Sequence, residues 1–167
     1  MSQIEKIIKK LDLKPHPEGG YFKETYRSEG EISNDSLDSK YKGNRNYSTC
    51  IYFLLTSKTF SAFHKINQDE IWHFYDGSTI HLHIISEAGE HSEHFIGRDL
   101  PNGEVPQLVV PGNSWFAAKI INKNDYSLVG CTVAPGFDFN DFVLPSRKEL
   151  LNKFPQHQSI ITEFTNG

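Results

Sequence analysis

The run Phe63-His64-Lys65-Ile66-Asn67-Gln68-Asp69-Glu70-Ile71-Trp72-His73-Phe74-Tyr75-Asp76-Gly77 reads as a strand, a tight polar turn and a second strand closed by glycine. Side chains alternate across a strand, so His64 and Ile66 share one face of the first, and Glu70, Trp72 and Phe74 share one face of the second. A histidine and a carboxylate therefore approach a common face from two sides of one turn. His73 falls on the opposite face with Ile71 and Tyr75 unless a bulge re-aims it.

Working outward, the same extended pattern recurs. Short strands are predicted over residues 21–27, 47–55, 60–66, 70–75, 79–85, 91–96, 107–110, 114–121, 126–133 and 137–144, separated by Gly, Asp, Asn and Ser turns. With no helix between them, they predict an all-β antiparallel jelly roll. A short amphipathic helix is expected over residues 2–12, where Ser2 and Glu5 stand at capping-box spacing and Ile4, Ile7, Ile8 and Leu11 line one face. A second helix should begin near Ser146, boxed by Glu149. Residues 29–46 form a long polar stretch without hydrophobic period, which reads equally as a functional lid or a disordered segment.

The chain of 167 residues suits a single domain, 1–167, with one substantial core. Seventeen basic against 21 acidic side chains give a net charge of −4 with no basic tract, which argues against nucleic acid as a partner. No apolar run is long enough to cross a bilayer and the amino terminus lacks a signal-peptide pattern, so a cytosolic protein with no membrane partner is expected. Cys50 and Cys131 lie in apolar strand-like runs and read as free, buried thiols. The strand over 47–55 is apolar on both faces, as interface strands are, and predicts a homodimer.

His64, Glu70 and Gly77 resemble the first signature of the cupin β-barrels, in which a His-x-His pair is followed by Glu and, after six residues, Gly. Ile66 stands where the second histidine belongs. The second signature survives only as Pro111 and a turn, with Asn113 for its glycine and Phe116 for its histidine. Further segments are similar to one cupin family of unassigned function. They are Lys14-Pro15-His16-Pro17-Glu18-Gly19-Gly20-Tyr21-Phe22, Ile51-Tyr52-Phe53-Leu54-Leu55, Val109-Val110-Pro111-Gly112-Asn113-Ser114-Trp115 and Gly130-Cys131-Thr132-Val133-Ala134-Pro135-Gly136-Phe137. The resemblance implies a cupin double-stranded β-helix with short terminal helices, commonly dimeric, with a pocket inside the barrel. It also implies structural similarity to the dTDP-4-dehydrorhamnose 3,5-epimerase branch, whose enzymes use a histidine base without metal.

On these residues the expected chemistry is acid–base, with His64 moving a proton beside a carbonyl and Glu70 orienting it. The candidate ligand contacts are Glu18 and Tyr21, presented by the stiff His16–Tyr21 turn, together with Trp72, His73, Phe74, Phe116 and Asp138. Either Asp138 or Asp141 could complete a His–Asp dyad, although both read more readily as solvated. No cofactor is expected, because only two of the family's metal-ligand positions keep ligand residues. The readings are a cofactor-independent isomerase or epimerase of a sugar-like or nucleotide-linked metabolite, a non-catalytic ligand-binding or sensor barrel, or a metal-dependent enzyme with an incomplete ligand set. His81 and His83 lie opposite the apolar face made by Ile80, Leu82 and Ile84, and with His91, His94 and His157 they read as surface histidines.

Overall fold

The computed structural model describes residues 1–167. Twelve strands occur in chain order: β1 (Lys14–Pro15), β2 (Tyr21–Arg27), β3 (Glu31–Ile32), β4 (Arg45–Asn46), β5 (Thr49–Thr56), β6 (Ser61–His64), β7 (Asp69–Gly77), β8 (Ile80–Ile85), β9 (His91–Ile96), β10 (Gln107–Val110), β11 (Trp115–Ile120) and β12 (Tyr126–Ala134). All strand pairings within the sheets are antiparallel. Six strands form one sheet in the order β1-β2-β5-β12-β7-β10, and four form a second in the order β6-β11-β8-β9. The two sheets face each other as the layers of a cupin jelly roll. No helix is long and apolar enough to cross a membrane.

Alternation places one apolar set between the sheets. Phe53 and Leu55 of β5, Trp72 of β7, Leu82 and Ile84 of β8, Phe116 and Ala118 of β11 and Val129 and Cys131 of β12 make this inner core. A second core lies on the outer side of the small sheet. There Phe63, Ile85, Trp115 and Ala117 are covered by Leu150, Phe154, Ile161 and Phe164 from the C-terminal helices.

The N-terminal helix α1 (Gln3–Lys10) carries the Ser2/Glu5 capping box, and α2 (Arg147–Lys153) carries the Ser146/Glu149 box. A third helix, α3 (Gln158–Glu163), follows α2 and was not evident from periodicity, because it supplies only a turn and a half of chain.

Two stretches differ from expectation. Residues 137–144 do not form a strand: Phe139–Asp141 is a 3₁₀ turn, opened by Asp138 Oδ1 accepting from Asn140 N–H at 2.8 Å, and only Val143 bridges to Lys65. The aromatic rings of this run pack on one another across the barrel mouth, and a strand would have split them between two faces. Residues 29–46 are ordered as the β3–β4 hairpin with a 3₁₀ turn at Asn34–Ser36. Arg45 anchors this hairpin in the interior, its guanidinium donating to both Asp141 oxygens at 2.8 and 2.7 Å. Asp141 is thus buried rather than solvated, and it also accepts from Gln68 at 2.8 Å and Asn67 at 3.1 Å.

Candidate functional site

A cavity of about 370 Å³ opens at the end of the barrel where the His16–Gly20 turn, the β6–β7 turn and residues 137–142 meet. Its polar lining includes His16, Glu18, His64, Glu70 and Thr49, with Glu24, Arg27 and Asp138 also contributing. Phe22, Phe53, Phe137, Phe139 and Phe142 supply aromatic walls.

The His16–Gly20 turn is what brings Glu18 inward. Gly19 has φ +113°, and a Cβ there would overlap the Phe60 carbonyl oxygen; on Gly20, at φ +72°, a Cβ would fall 2.8 Å from the Leu54 carbonyl oxygen. Only glycine permits both the left-handed backbone and the close approach. The turn is thereby pressed onto β6, where Ala62 N–H donates to the Glu18 carbonyl at 2.7 Å.

Glu18 then makes the central contacts. Its Oε2 lies 2.9 Å from His64 Nε2, and its Oε1 accepts from Ser61 Oγ at 2.8 Å. The other His64 nitrogen, Nδ1, lies 2.7 Å from the Ala62 carbonyl, which can only accept, so Nδ1 carries a proton. A second proton on Nε2 then faces the carboxylate. Burial by itself lowers the His64 pKa, but the Glu18 charge and hydrogen bond outweigh it and raise the value. Burial likewise raises that of Glu18, and His64 with Ser61 brings it below the ordinary carboxylate range. The pair is a buried imidazolium–carboxylate.

His16 sits beside it in the opposite state. Burial lowers its pKa, only partly offset by Glu18, and its Nδ1 accepts from the Glu18 backbone N–H at 3.2 Å. The neutral ring therefore keeps its proton on Nε2. Phe22 meets it edge-on at 4.6 Å between centroids, with Phe53, Phe139 and Phe142 farther round.

Glu70 is a carboxyl brought to neutrality. Burial first, then the Glu18 charge, push its pKa up to about 7, against a smaller opposing pull from His64. The Cys131 thiol and the Trp72 indole lie beside it, and the indole N–H stops short of a completed hydrogen bond. Cys131 is itself held protonated by burial and by Glu70, so it offers no thiolate. Both cysteines are free.

Of the sequence candidates, the structure brings His64, Glu70, Glu18 and Asp138 to the cavity. It differs on partnership: Glu18, rather than Glu70 or either aspartate, holds the His64 imidazole, because the glycine turn reaches across β6. Tyr21 lies outside the lining, since alternation along β2 sends Phe22 and Glu24 inward instead. Trp72 and Phe116 are fully buried behind the wall, Phe116 with its ring 4.1 Å from that of His64. Phe74 packs against the inner core under Arg98. His73 keeps to the outer face, its Nε2 3.0 Å from Thr132 Oγ1, so no bulge re-aims it. The sequence reading missed His16, Arg27, Thr49 and the phenylalanines at 22, 137, 139 and 142. Phe22 and Glu24 were legible from alternation, but nothing local marked His16 over the other turn residues.

His16, Glu18, His64 and Glu70 are all side-chain types that can ligate a cupin metal. They do not fit one as arranged. Both His64 nitrogens are engaged, Glu18 is bonded to His64 and Ser61, and no three of the four bring ligand atoms within 4.8 Å of one another. A group that does so lies elsewhere, at His81, His83 and Glu93. His83 is buried rather than exposed as expected, because Phe164 covers it, and burial with its His81 and His91 neighbours lowers its pKa to about 4.

A double-stranded β-helix enclosing a polar, aromatic-walled cavity defines a cupin. The chain belongs to the Cupin superfamily (DUF985) family, whose model matches residues 5–145. It is 35% identical over 149 residues to the uncharacterized protein YML079W of Saccharomyces cerevisiae, covering 84% of this chain and 74% of that one. Among solved structures, a hypothetical protein from Leishmania major superposes with a TM-score of 0.91 at 31% identity, covering 99% of this chain and 100% of that one. Protein SO0799 from Shewanella oneidensis gives 0.89 at 37% identity, with 99% of each chain covered.

Proposed function

We propose that this cupin binds a small polar metabolite in the barrel and moves a proton on it, in the manner of a cofactor-independent isomerase or epimerase. The observation that carries this reading is Glu70, a carboxyl with a pKa of about 7 facing the barrel cavity beside a fixed ion pair. As carboxylate, Glu70 takes a proton from carbon next to a carbonyl, and as carboxylic acid it returns that proton on the same side to the neighbouring carbon, or to the original carbon after the enolate has turned its other face to Glu70. The neutral His16 N–H donates to the developing enolate oxygen. His64 is a positioning residue: with both nitrogens bonded, it fixes Glu18 and supplies positive charge. Five aromatic rings, with the deep Glu18 and His64 charges already paired to each other, favour a flat or sugar-sized ligand over a highly charged one.

The test begins with thermal-shift screening of metabolites and continues with NMR of each hit in D₂O. Wild type should exchange a carbon-bound hydrogen of the ligand for deuterium, and Glu70→Gln should slow this by roughly 10²–10⁴-fold while still binding. A stabilising ligand left without deuterium by the wild type would instead support the binding or sensor reading. A homodimer is part of the proposal. Tyr26 and Tyr75 are exposed on the large sheet, Tyr75 against Tyr52, and sedimentation velocity should return twice the chain mass.

A further inference from the structure

Four of the eight histidines, none of them lining the cavity, gather on the outer face of the small sheet next to the C-terminal helices. β8 and β9 pair with His83 opposite Glu93 and His81 opposite Phe95, so His81, His83, His91 and Glu93 project to one side. We propose that His81, His83 and Glu93 form a binding site for a divalent transition-metal ion of the zinc class, separate from the barrel site.

The geometry supports it at each donor. One nitrogen from each imidazole and a Glu93 oxygen lie within 4.8 Å of one another. His81 Nε2 and Glu93 Oε2 share a hydrogen bond at 2.7 Å, and unlike the buried Glu18–His64 pair this one is half-open to solvent, so an ion with bond lengths of about 2.0–2.2 Å replaces it by displacing the proton to water and moving the Glu93 oxygen aside by about 0.7 Å. Glu93, which is half-exposed, can make that movement by side-chain rotation, and it leaves a solvent-facing position for water as a further ligand. The imidazoles are held in place. His81 stacks on Phe95 at 4.6 Å and 14°, and His83 is wedged against Phe164. His91 Nε2 lies 3.0 Å from His83 Nδ1 and orients that ring, the service that outer-sphere partners give to metal-bound imidazoles. His157, next to His91, is tied by Nε2 to the Gly89 carbonyl at 2.7 Å, which links the group to the C-terminal layer.

Competing charge has been removed from the site. Lys119 pairs in register with His81, but its ammonium is engaged by Glu163 of α3. Two imidazoles and one carboxylate form a donor set that suits zinc, copper or nickel and is poor for magnesium or calcium, which prefer all-oxygen ligation. The ion would cross-link β8 and β9 beneath the helical cap.

Titration of untagged, chelator-treated protein with Co²⁺ and Zn²⁺, read by Co²⁺ visible absorption and by calorimetry, tests this. Wild type should bind one ion per chain, with the absorption of a low-coordinate nitrogen–oxygen site. His81→Ala and Glu93→Gln, both at accessible positions, should each weaken binding at least about tenfold. His64→Ala should leave it unchanged. Equal affinity in the wild type and the two outer-face variants overturns the proposal. So does loss of binding in His64→Ala with retention in His81→Ala, which would move the ion to the barrel, and so does failure of the wild type to bind.

Discussion

The chemistry of the cavity turns on how three ionisable groups, Glu18, His64 and Glu70, share two protons. Glu18 and His64 stabilise each other as an ion pair, and the negative Glu18 is among the causes that keep Glu70 protonated. A group with a raised folded-state pKa contributes stability that is complete below its unfolded pKa and is lost as pH rises through the folded one. For Glu70 the window runs from about 4.5 to about 7. The shift corresponds to up to ~3 kcal/mol. Glu70→Gln cannot ionise, so its stability should gain on wild type between pH 5 and pH 8, as urea midpoints across that range would measure. Parallel curves would mean that Glu70 titrates normally. Removing one member of the buried pair should be more severe at every pH near neutrality: Glu18→Ala leaves an unpaired imidazolium and should cost about 3–5 kcal/mol. The faces that carry His64 and Glu70 were readable from strand alternation, and their turning into the barrel from the cupin resemblance. Their partnership was not, because the deciding group arrives from 46 residues before His64 through a turn whose inward press is a tertiary contact.

At the level of elements, two turns set the cavity's shape. The glycine turn presents Glu18, and placing a side chain on it strains a left-handed backbone and collides with the Phe60 carbonyl. Gly19→Ala should therefore destabilise the protein by at least ~1–3 kcal/mol. It should also lower the His64 pKa, seen by imidazole NMR, since Glu18 would be pushed back from it; an unaltered titration would separate the turn from the pair. The mouth is set by Asp141, which joins the β3–β4 hairpin to the 3₁₀ turn through Arg45, both side chains being almost wholly buried (2% and 1% exposed). The polar composition of residues 29–46 concealed this order, because one arginine and Tyr41 do the anchoring where a hydrophobic period would ordinarily announce it. The run 137–144 misled for the converse reason. Its Phe137 and Phe139, two residues apart, mimic a strand, yet Phe142 breaks that period and all three rings pack together at the cavity mouth.

On the scale of the whole molecule, the small sheet is covered on both faces, and the two coverings do different things. The inner core closes the barrel and supports the cavity wall through Trp72 and Phe116, while the outer core fastens the C-terminal helices over Phe63, Ile85 and Trp115. The sequence made the first legible through the apolar face of Ile80, Leu82 and Ile84. It hid the second, because the opposite face reads His81, His83, Ile85 and looks polar until the helices are docked on it. Phe164 is the hinge of that docking: fully buried, it meets Phe60 and Phe63 edge-on and lies over His83, and its carbonyl accepts from Phe63 N–H at 2.9 Å. Phe164→Ala leaves a large void beside rings that cannot collapse into it, so it should cost about 3–5 kcal/mol of stability. Because β6 carries Phe63 on the outer core and His64 in the cavity, the damage should spread inward. Amide exchange should quicken at Ala62 and Phe63 as well as in α3, and protection lost in α3 alone would show that the helical cap and the barrel fold as independent units.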